Sequence, residues 1–176
     1  MPDHEIIDKA IRKVPDFPKP GVLFYDITGI LVNPRAFSYC IERMEELYAG
    51  TAVDGVAAIE SRGFIFAAPF ALRRGLPLIL LRKKGKLPFK THAVTYELEY
   101  GTDTLEIHMD AIQPGQRVVL VDDLLATGGT MEATVKLVKQ LGGEIAGLAF
   151  AVELDFLKGR DRFKEHDVFS LLHYDE

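Results

Sequence analysis

The chain has one cysteine, Cys40, and no apolar run that approaches the ~20 residues a helix needs to span a bilayer. A lone cysteine forms no intramolecular bridge, and the N-terminus lacks the basic-then-apolar pattern of a secretion signal. Together these point to a cytoplasmic protein with no membrane partner. Histidine is scarce: His4, His92, His108, His166 and His173 show no i, i+4 or short-loop spacing to one another, which gives no support to a protein-built metal site. Basic residues are outnumbered 21 to 26, for a net charge of −5, so the overall balance does not invite nucleic acid. Two common phosphate signatures are missing. No Gly-Lys-Ser/Thr closes a P-loop and no Gly-x-Gly-x-x-Gly opens a dinucleotide fold, so a nucleotide triphosphatase, a sugar-phosphate kinase and a Rossmann dehydrogenase all lack support.

What is present is a chain of 176 residues, 48% hydrophobic, long enough for one substantial core and without a composition break, so residues 1–176 read as a single domain. Ile6, Ile7, Ala10, Ile11 and Val14 recur at helical spacing and predict a first helix over residues 3–14. The proline-rich stretch 15–21 then leads into a short apolar arm at 22–27. A second helix is predicted over 34–48, with Phe37, Ile41, Met44 and Leu47 on its apolar side and Cys40 as a core thiol. Strands near 55–59, 77–81, 117–121, 145–152 and 168–172 alternate with helices near 64–74 and 130–141, the pattern of an α/β fold with a central, mostly parallel sheet flanked by helices. Residues 91–100 and 103–109 alternate in polarity around a turn at 100–103 and predict a β-hairpin.

The most informative stretch is 118–130. Val118, Val119, Leu120 and Val121 form a β-branched, apolar run suited to a strand covered on both faces. Asp122 and Asp123 follow, then Leu124, Leu125, Ala126, Thr127, Gly128, Gly129 and Thr130, with Thr130 read as the N-cap of the next helix. A loop in this position lies at the carboxyl end of its strand, and the helix behind it offers unpaired N–H groups to an anion. Gly128 and Gly129 let the backbone approach phosphate oxygens, while Thr127 and Thr130 add hydroxyl donors. Carboxylates beside a phosphate are repulsive unless they hold a divalent cation or accept from sugar hydroxyls. Either reading implies a phosphorylated sugar or a nucleotide.

Glu60-Ser61-Arg62-Gly63 repeats this strand-loop-helix setting, with an arginine able to grip phosphate through two parallel bonds. Two anion sites at strand ends suggest a ligand with two separate phosphate groups. Arg82-Lys83-Lys84-Gly85-Lys86 adds cations after another strand, and Gly85 and Pro88 suit a flexible cover over residues 82–109.

These segments carry a resemblance. In order along the chain, Pro15-Asp16-Phe17-Pro18-Lys19-Pro20-Gly21, Asp26-Ile27-Thr28, Ser61-Arg62-Gly63-Phe64, Arg82-Lys83-Lys84-Gly85-Lys86-Leu87-Pro88, Leu98-Glu99-Tyr100-Gly101, the 118–130 motif and Val152-Glu153-Leu154 with Leu157-Lys158-Gly159-Arg160 resemble the adenine phosphoribosyltransferases. The resemblance implies a type I phosphoribosyltransferase fold with an N-terminal hood over residues 1–33 and a hairpin lid. It also implies transfer of phosphoribose from phosphoribosyl pyrophosphate to adenine, with Mg²⁺ carried on the pyrophosphate, and a homodimer. Ala126, Thr127, Gly128, Gly129 and Thr130 would hold the 5′-phosphate, and Asp122 and Asp123 the ribose hydroxyls. Ser61, Arg62, Lys83 and Lys86 would meet pyrophosphate, with a cis peptide between Glu60 and Ser61. Phe24 and Leu154 would flank adenine, the backbone of Leu23 and Tyr25 would read its edge, and Glu99 would bind N7 or shuttle its proton. Tyr25 and Gly29 stand where many relatives carry Arg and Pro. A phosphoribosyltransferase for another purine is disfavoured by the arm at 22–25. A phosphoribosyl pyrophosphate sensor is the remaining alternative.

Overall fold

The structure, a computed structural model, describes residues 4–98 and 101–176. It begins with helix α1 (His4–Ala10) and strand β1 (Arg12–Pro15), which pairs antiparallel with β2 (Leu23–Asp26). The helix predicted to reach Val14 thus stops at Ala10. Val14 precedes Pro15, whose ring disfavours the α conformation in the residue before it, and residues 12–15 instead find partners in residues 23–26, Val14 facing Phe24 and Lys13 facing Tyr25. Helix α2 (Thr28–Leu31) packs so tightly beneath α1 that a Cβ on Gly29 would lie 1.8 Å from the Ala10 carbonyl oxygen. Only glycine fits there.

Helix α3 (Pro34–Tyr48) starts at Asn33, whose side chain accepts from the Ala36 N–H at 3.2 Å, a normal N-cap followed by proline in the first turn. Cys40 and Met44 are fully buried, and burial pushes the Cys40 thiol up to about 12. Leu47, expected on the apolar side, is exposed, and Tyr48 fills the inward position.

The main sheet has seven strands: β3 (Gly55–Ile59), β4 (Leu78–Lys83), β5 (Thr91–Glu97), β6 (Thr102–His108), β7 (Arg117–Leu125), β8 (Glu144–Leu154) and β9 (Val168–Tyr174), in the order β5-β6-β4-β3-β7-β8-β9. The five strands from β4 to β9 in that order are parallel, while β6 runs antiparallel to β4 and forms a hairpin with β5. This matches the mostly parallel α/β sheet and the hairpin read from the sequence. Helix α4 (Arg62–Arg74) joins β3 to β4 and helix α5 (Gly129–Gln140) joins β7 to β8. One core layer gathers Ile7, Met44, Phe66 and Phe70 between α1, α3, α4 and the sheet; the other gathers Leu120, Leu137, Phe150 and Leu105 under α5 and the hairpin. Full burial of each such side chain contributes about 1.5–3 kcal/mol, which is what holds two helical layers on one sheet. No helix among the described residues is long and apolar enough to cross a membrane.

The connections place the cleft. From β3 the chain moves outward to β4, and from β7 it moves the other way to β8 and β9. Neighbouring strands whose crossovers diverge leave a crevice at their carboxyl ends, where α/β sheets of this kind take ligands. Strand β7 also runs further than the predicted 117–121. Asp122 pairs with Phe150 and Leu125 with Glu153, so the acidic pair lies within the strand.

Candidate active site

Two loops meet at that crevice. After β3, the Glu60–Ser61 peptide is cis and Ser61 begins α4 without a side-chain cap. After β7, helix α5 begins at Gly129 with Gly128 as its N-cap, in place of the predicted Thr130. Gly128 adopts the left-handed conformation (φ 81°), which lets the chain enter the helix with no side-chain cap. Both helix starts therefore present first-turn N–H groups to the crevice without a capping oxygen in the way. Gly63 permits the close approach of α4 to β7: a Cβ there would sit 2.8 Å from Asp122 Oδ1.

A cavity of about 600 Å³ opens between these loops and the hairpin, lined by Ser61, Arg62, Lys83, Lys86, Asp122, Asp123 and Thr130 together with Glu60, Tyr96, Leu98 and Asp103. A smaller cavity of about 200 Å³ adjoins it, bounded by residues 124–131 with Arg62, Asp122 and Asp123. The structure thus brings together the residues singled out in both motifs and in the basic stretch.

Each cation lining the larger cavity has a carboxylate. Arg62 Nε lies 2.6 Å from Asp123 Oδ2, yet its N–H is not aligned with that oxygen, which has no hydrogen-bond donor among the described residues although Asp123 is only 3% exposed. Lys83 Nζ lies 3.0 Å from Asp103 Oδ2; the hydrogen bond and charge of Asp103 raise the Lys83 pKa, and the bond from Lys83 lowers that of Asp103. Lys86 Nζ donates to Glu60 Oε2 at 2.9 Å, the Lys83 N–H donates to Glu60 Oε1 at 2.5 Å, and the Arg82 guanidinium reaches Oε2 at 3.3 Å. Burial pushes the Glu60 carboxyl up, but these bonds outweigh it and hold it below its ordinary value. Glu60 and Asp103 hold Lys83 and Lys86; the sequence places Glu60 in the 60–63 motif without a role and gives none to Asp103, because register across the hairpin, where Tyr96 faces Asp103, leaves no mark on local spacing.

Asp122 behaves oppositely to Glu60. Burial first, and then the negative charge of Asp123, raise its pKa well above the ordinary 3.8. A carboxyl raised in the folded state contributes stability below its unfolded pKa and loses it as pH climbs through the folded value. Asp122→Asn keeps an oxygen for the Asp123 N–H, which Asp122 Oδ1 now accepts at 2.9 Å. It is therefore expected to raise the melting temperature of the ligand-free protein at neutral pH, with the gain shrinking as pH falls toward the ordinary carboxylate range. Thermal unfolding across pH checks this, and a pH-independent gain would contradict it.

The arm lies apart from these two cavities. None of Leu23, Phe24, Tyr25 and Leu154 is among the residues lining them. Tyr25 is buried and stacks on Tyr174 (centroids 4.1 Å apart), with Lys13 Nζ 4.8 Å over the Tyr174 ring, so its side chain serves the core. Phe24 is half-buried and meets Phe17 edge-on at 5.1 Å, and Leu23 is exposed. Leu154 ends β8 opposite Tyr174, next to Glu153, a buried carboxylate gripped by Arg160 at 2.9 and 2.5 Å and by Ser170 at 2.6 Å. The arm and the end of β8 are thereby neighbours through Tyr25 and Tyr174, and hydrogen bonds from Thr28 hold the Asp26 carboxyl at the close of β2 below its ordinary value. Glu99 lies outside the described residues.

A family model described as the phosphoribosyl transferase domain matches residues 28–174. An adenine phosphoribosyltransferase of Acidobacterium capsulatum is 63% identical, the match covering 100% of this chain and 99% of the relative. Among solved structures, the adenine phosphoribosyltransferase of Thermoanaerobacter pseudethanolicus superposes with a TM-score of 0.93 at 51% identity over 97% of this chain and 99% of that one. The Saccharomyces cerevisiae enzyme, solved with an imino-altritol bisphosphate and adenine, does so with 0.91 at 40% identity over 97% and 98%. With a type I phosphoribosyltransferase sheet, two helix starts open to anions at its switch point and relatives matched end to end, the chain belongs to the adenine phosphoribosyltransferase family.

Proposed function

We propose that this chain transfers the 5-phosphoribosyl group from phosphoribosyl pyrophosphate to adenine, giving AMP and pyrophosphate in purine salvage. The observation that carries the reading is the pairing of two uncapped helix starts with a cation-lined cavity at one crevice, in a chain 63% identical to a named adenine phosphoribosyltransferase. In this reading the smaller cavity takes the 5′-phosphate on Ala126, Thr127, Gly128, Gly129 and Thr130. Asp123, whose Oδ2 lacks a donor among the described residues, accepts from a ribose hydroxyl alongside Asp122.

Ser61, Arg62, Lys83 and Lys86 meet pyrophosphate. As the C1–oxygen bond of the ribose breaks, negative charge grows on the leaving group, and cations fixed nearby stabilise it more than they stabilise the substrate. The oxygen atoms of pyrophosphate suit Mg²⁺, a hard cation that would arrive with it and neutralise part of its charge. Residues 82–109 close over the site and keep water from the oxocarbenium-like carbon.

For the base, β2 pairs only with β1 among the described residues, so its other edge has no strand partner among them and its main-chain groups suit readout of adenine at Leu23 and Tyr25. Phe24 and Leu154 would supply the flanking apolar surfaces and Glu99 the contact to N7. The burial of the Tyr25 ring supports a backbone role, since its hydroxyl donates to the Glu176 carbonyl and is spent there. We further assign the chain as one working unit, cytoplasmic and homodimeric, with no nucleic-acid or membrane partner; light scattering reads the oligomeric state.

Purified protein given phosphoribosyl pyrophosphate, Mg²⁺ and adenine is expected to form AMP, seen by chromatography, with hypoxanthine and guanine as poor substrates. Turnover of a 6-oxopurine and none of adenine would overturn the base assignment. Binding without turnover of any base would favour a sensor.

A further inference from the structure

The smaller cavity has a back wall that the proposed reaction leaves without a role. Behind residues 126–128 runs the 3-10 turn Gly159–Phe163, none of whose residues lines the cavity. Arg162 Nε donates to the Thr127 carbonyl at 2.7 Å, and its Nη1 donates to Glu132 Oε2, in the first turn of α5, at 2.8 Å. The Ala126 carbonyl oxygen lies so close to Gly159 that a Cβ there would come within 2.2 Å of it. The Thr127 carbonyl is thus held by a hydrogen bond on the side of this turn, and the Ala126 carbonyl packs against Gly159 there.

The consequence follows from peptide geometry. These peptides are trans, so each C=O points opposite to the N–H on its far side. Holding the Thr127 carbonyl on Arg162 turns the Gly128 N–H toward the cavity, and seating the Ala126 carbonyl on Gly159 does the same for the Thr127 N–H. We propose that Arg162 is a positioning residue for the 5′-phosphate: it touches no substrate, but it fixes the loop so that backbone donors converge on the anion. Glu132 sets the guanidinium in its fork, which a lysine cannot reproduce with two directed bonds.

The inference rests on the phosphoribosyl reading and is tested by affinities that separate the two. Arg162→Gln is expected to raise the Kd for AMP and the KM for phosphoribosyl pyrophosphate about tenfold, the loss of one charge-assisted hydrogen bond. The Kd for pyrophosphate with Mg²⁺ should stay within about twofold and kcat within about threefold, by the same reasoning that the change acts on ground-state and transition-state binding alike. Arg162→Lys should recover part of the AMP affinity. Should Arg162→Gln fail to fold, Glu132→Gln, which loosens the fork and leaves Arg162 in place, is expected to weaken AMP by about threefold. Unchanged AMP affinity in these variants, or equal losses for AMP and pyrophosphate, would overturn the proposal while the enzymatic reading stood. Failure of the unaltered chain to bind AMP would overturn both.

Discussion

Gly128→Ala is expected to lower kcat/KM for phosphoribosyl pyrophosphate by about 10²-fold, because a shift of about 1 Å in a substrate-holding loop costs on that order. Two effects act together. Gly128 has φ 81°, a conformation that costs an L-residue roughly 1–2 kcal/mol. The added Cβ would also meet the Gly159 carbonyl oxygen at 3.0 Å and the Arg162 and Phe163 side chains at 3.1 Å, with no flexible neighbour to absorb all three. The loop relaxes by moving away from that wall, which is into the space proposed for the 5′-phosphate. Because the strained residue ends a loop and is not part of the sheet, the melting temperature should fall by only about 2–8 °C at the 2–4 °C per kcal/mol usual for a domain of this size. Steady-state kinetics and thermal unfolding together check this. A large loss of stability with unchanged KM would show that Gly128 serves the fold alone.

Glu99→Leu is expected to lower turnover by about 10²–10⁴, the usual range for a general acid or base, while binding of phosphoribosyl pyrophosphate changes little. Leu98, the preceding residue, lines the larger cavity, and its N–H bonds the Gly101 carbonyl at 2.9 Å. Under the proposed reaction a proton leaves the imidazole side of adenine as N9 attacks, and a carboxylate is the group that would take it. Single-turnover rates with adenine, set beside phosphoribosyl pyrophosphate affinity, separate the two roles. Unchanged turnover would remove Glu99 from the mechanism.

Much of the fold around the candidate site is legible in the sequence, for local reasons. Val118 to Val121 had to be a strand covered on both faces, a glycine pair after it had to be a turn, and an amphipathic run after that had to be a helix. Once two such units stand next to each other in one sheet, their loops meet without further instruction. The misreadings came from non-local effects. Residues 11–14 carry helical spacing, and it was pairing with residues 23–26 that drew 12–15 into a strand. Thr130 looked like an N-cap because its hydroxyl suits one, whereas the left-handed Gly128 starts the helix two residues earlier. Arg162 had no signature at all: it lies 35 residues from Thr127, and only the fold of the 3-10 turn brings it there.

The three cation–carboxylate pairs around the larger cavity also bear on how a catalytic cycle would end. In the ligand-free molecule Arg62, Lys83 and Lys86 already have partners in Asp123, Asp103 and Glu60. Under the proposed reaction, arriving pyrophosphate does not meet bare positive charge; it displaces carboxylates that remain tethered a few ångströms away. Those displaced groups compete for the same cations for as long as the product stays. In that reading their competition would shorten the residence of pyrophosphate, so that one arrangement of side chains would both assemble the leaving-group site and hasten its clearing for the next round.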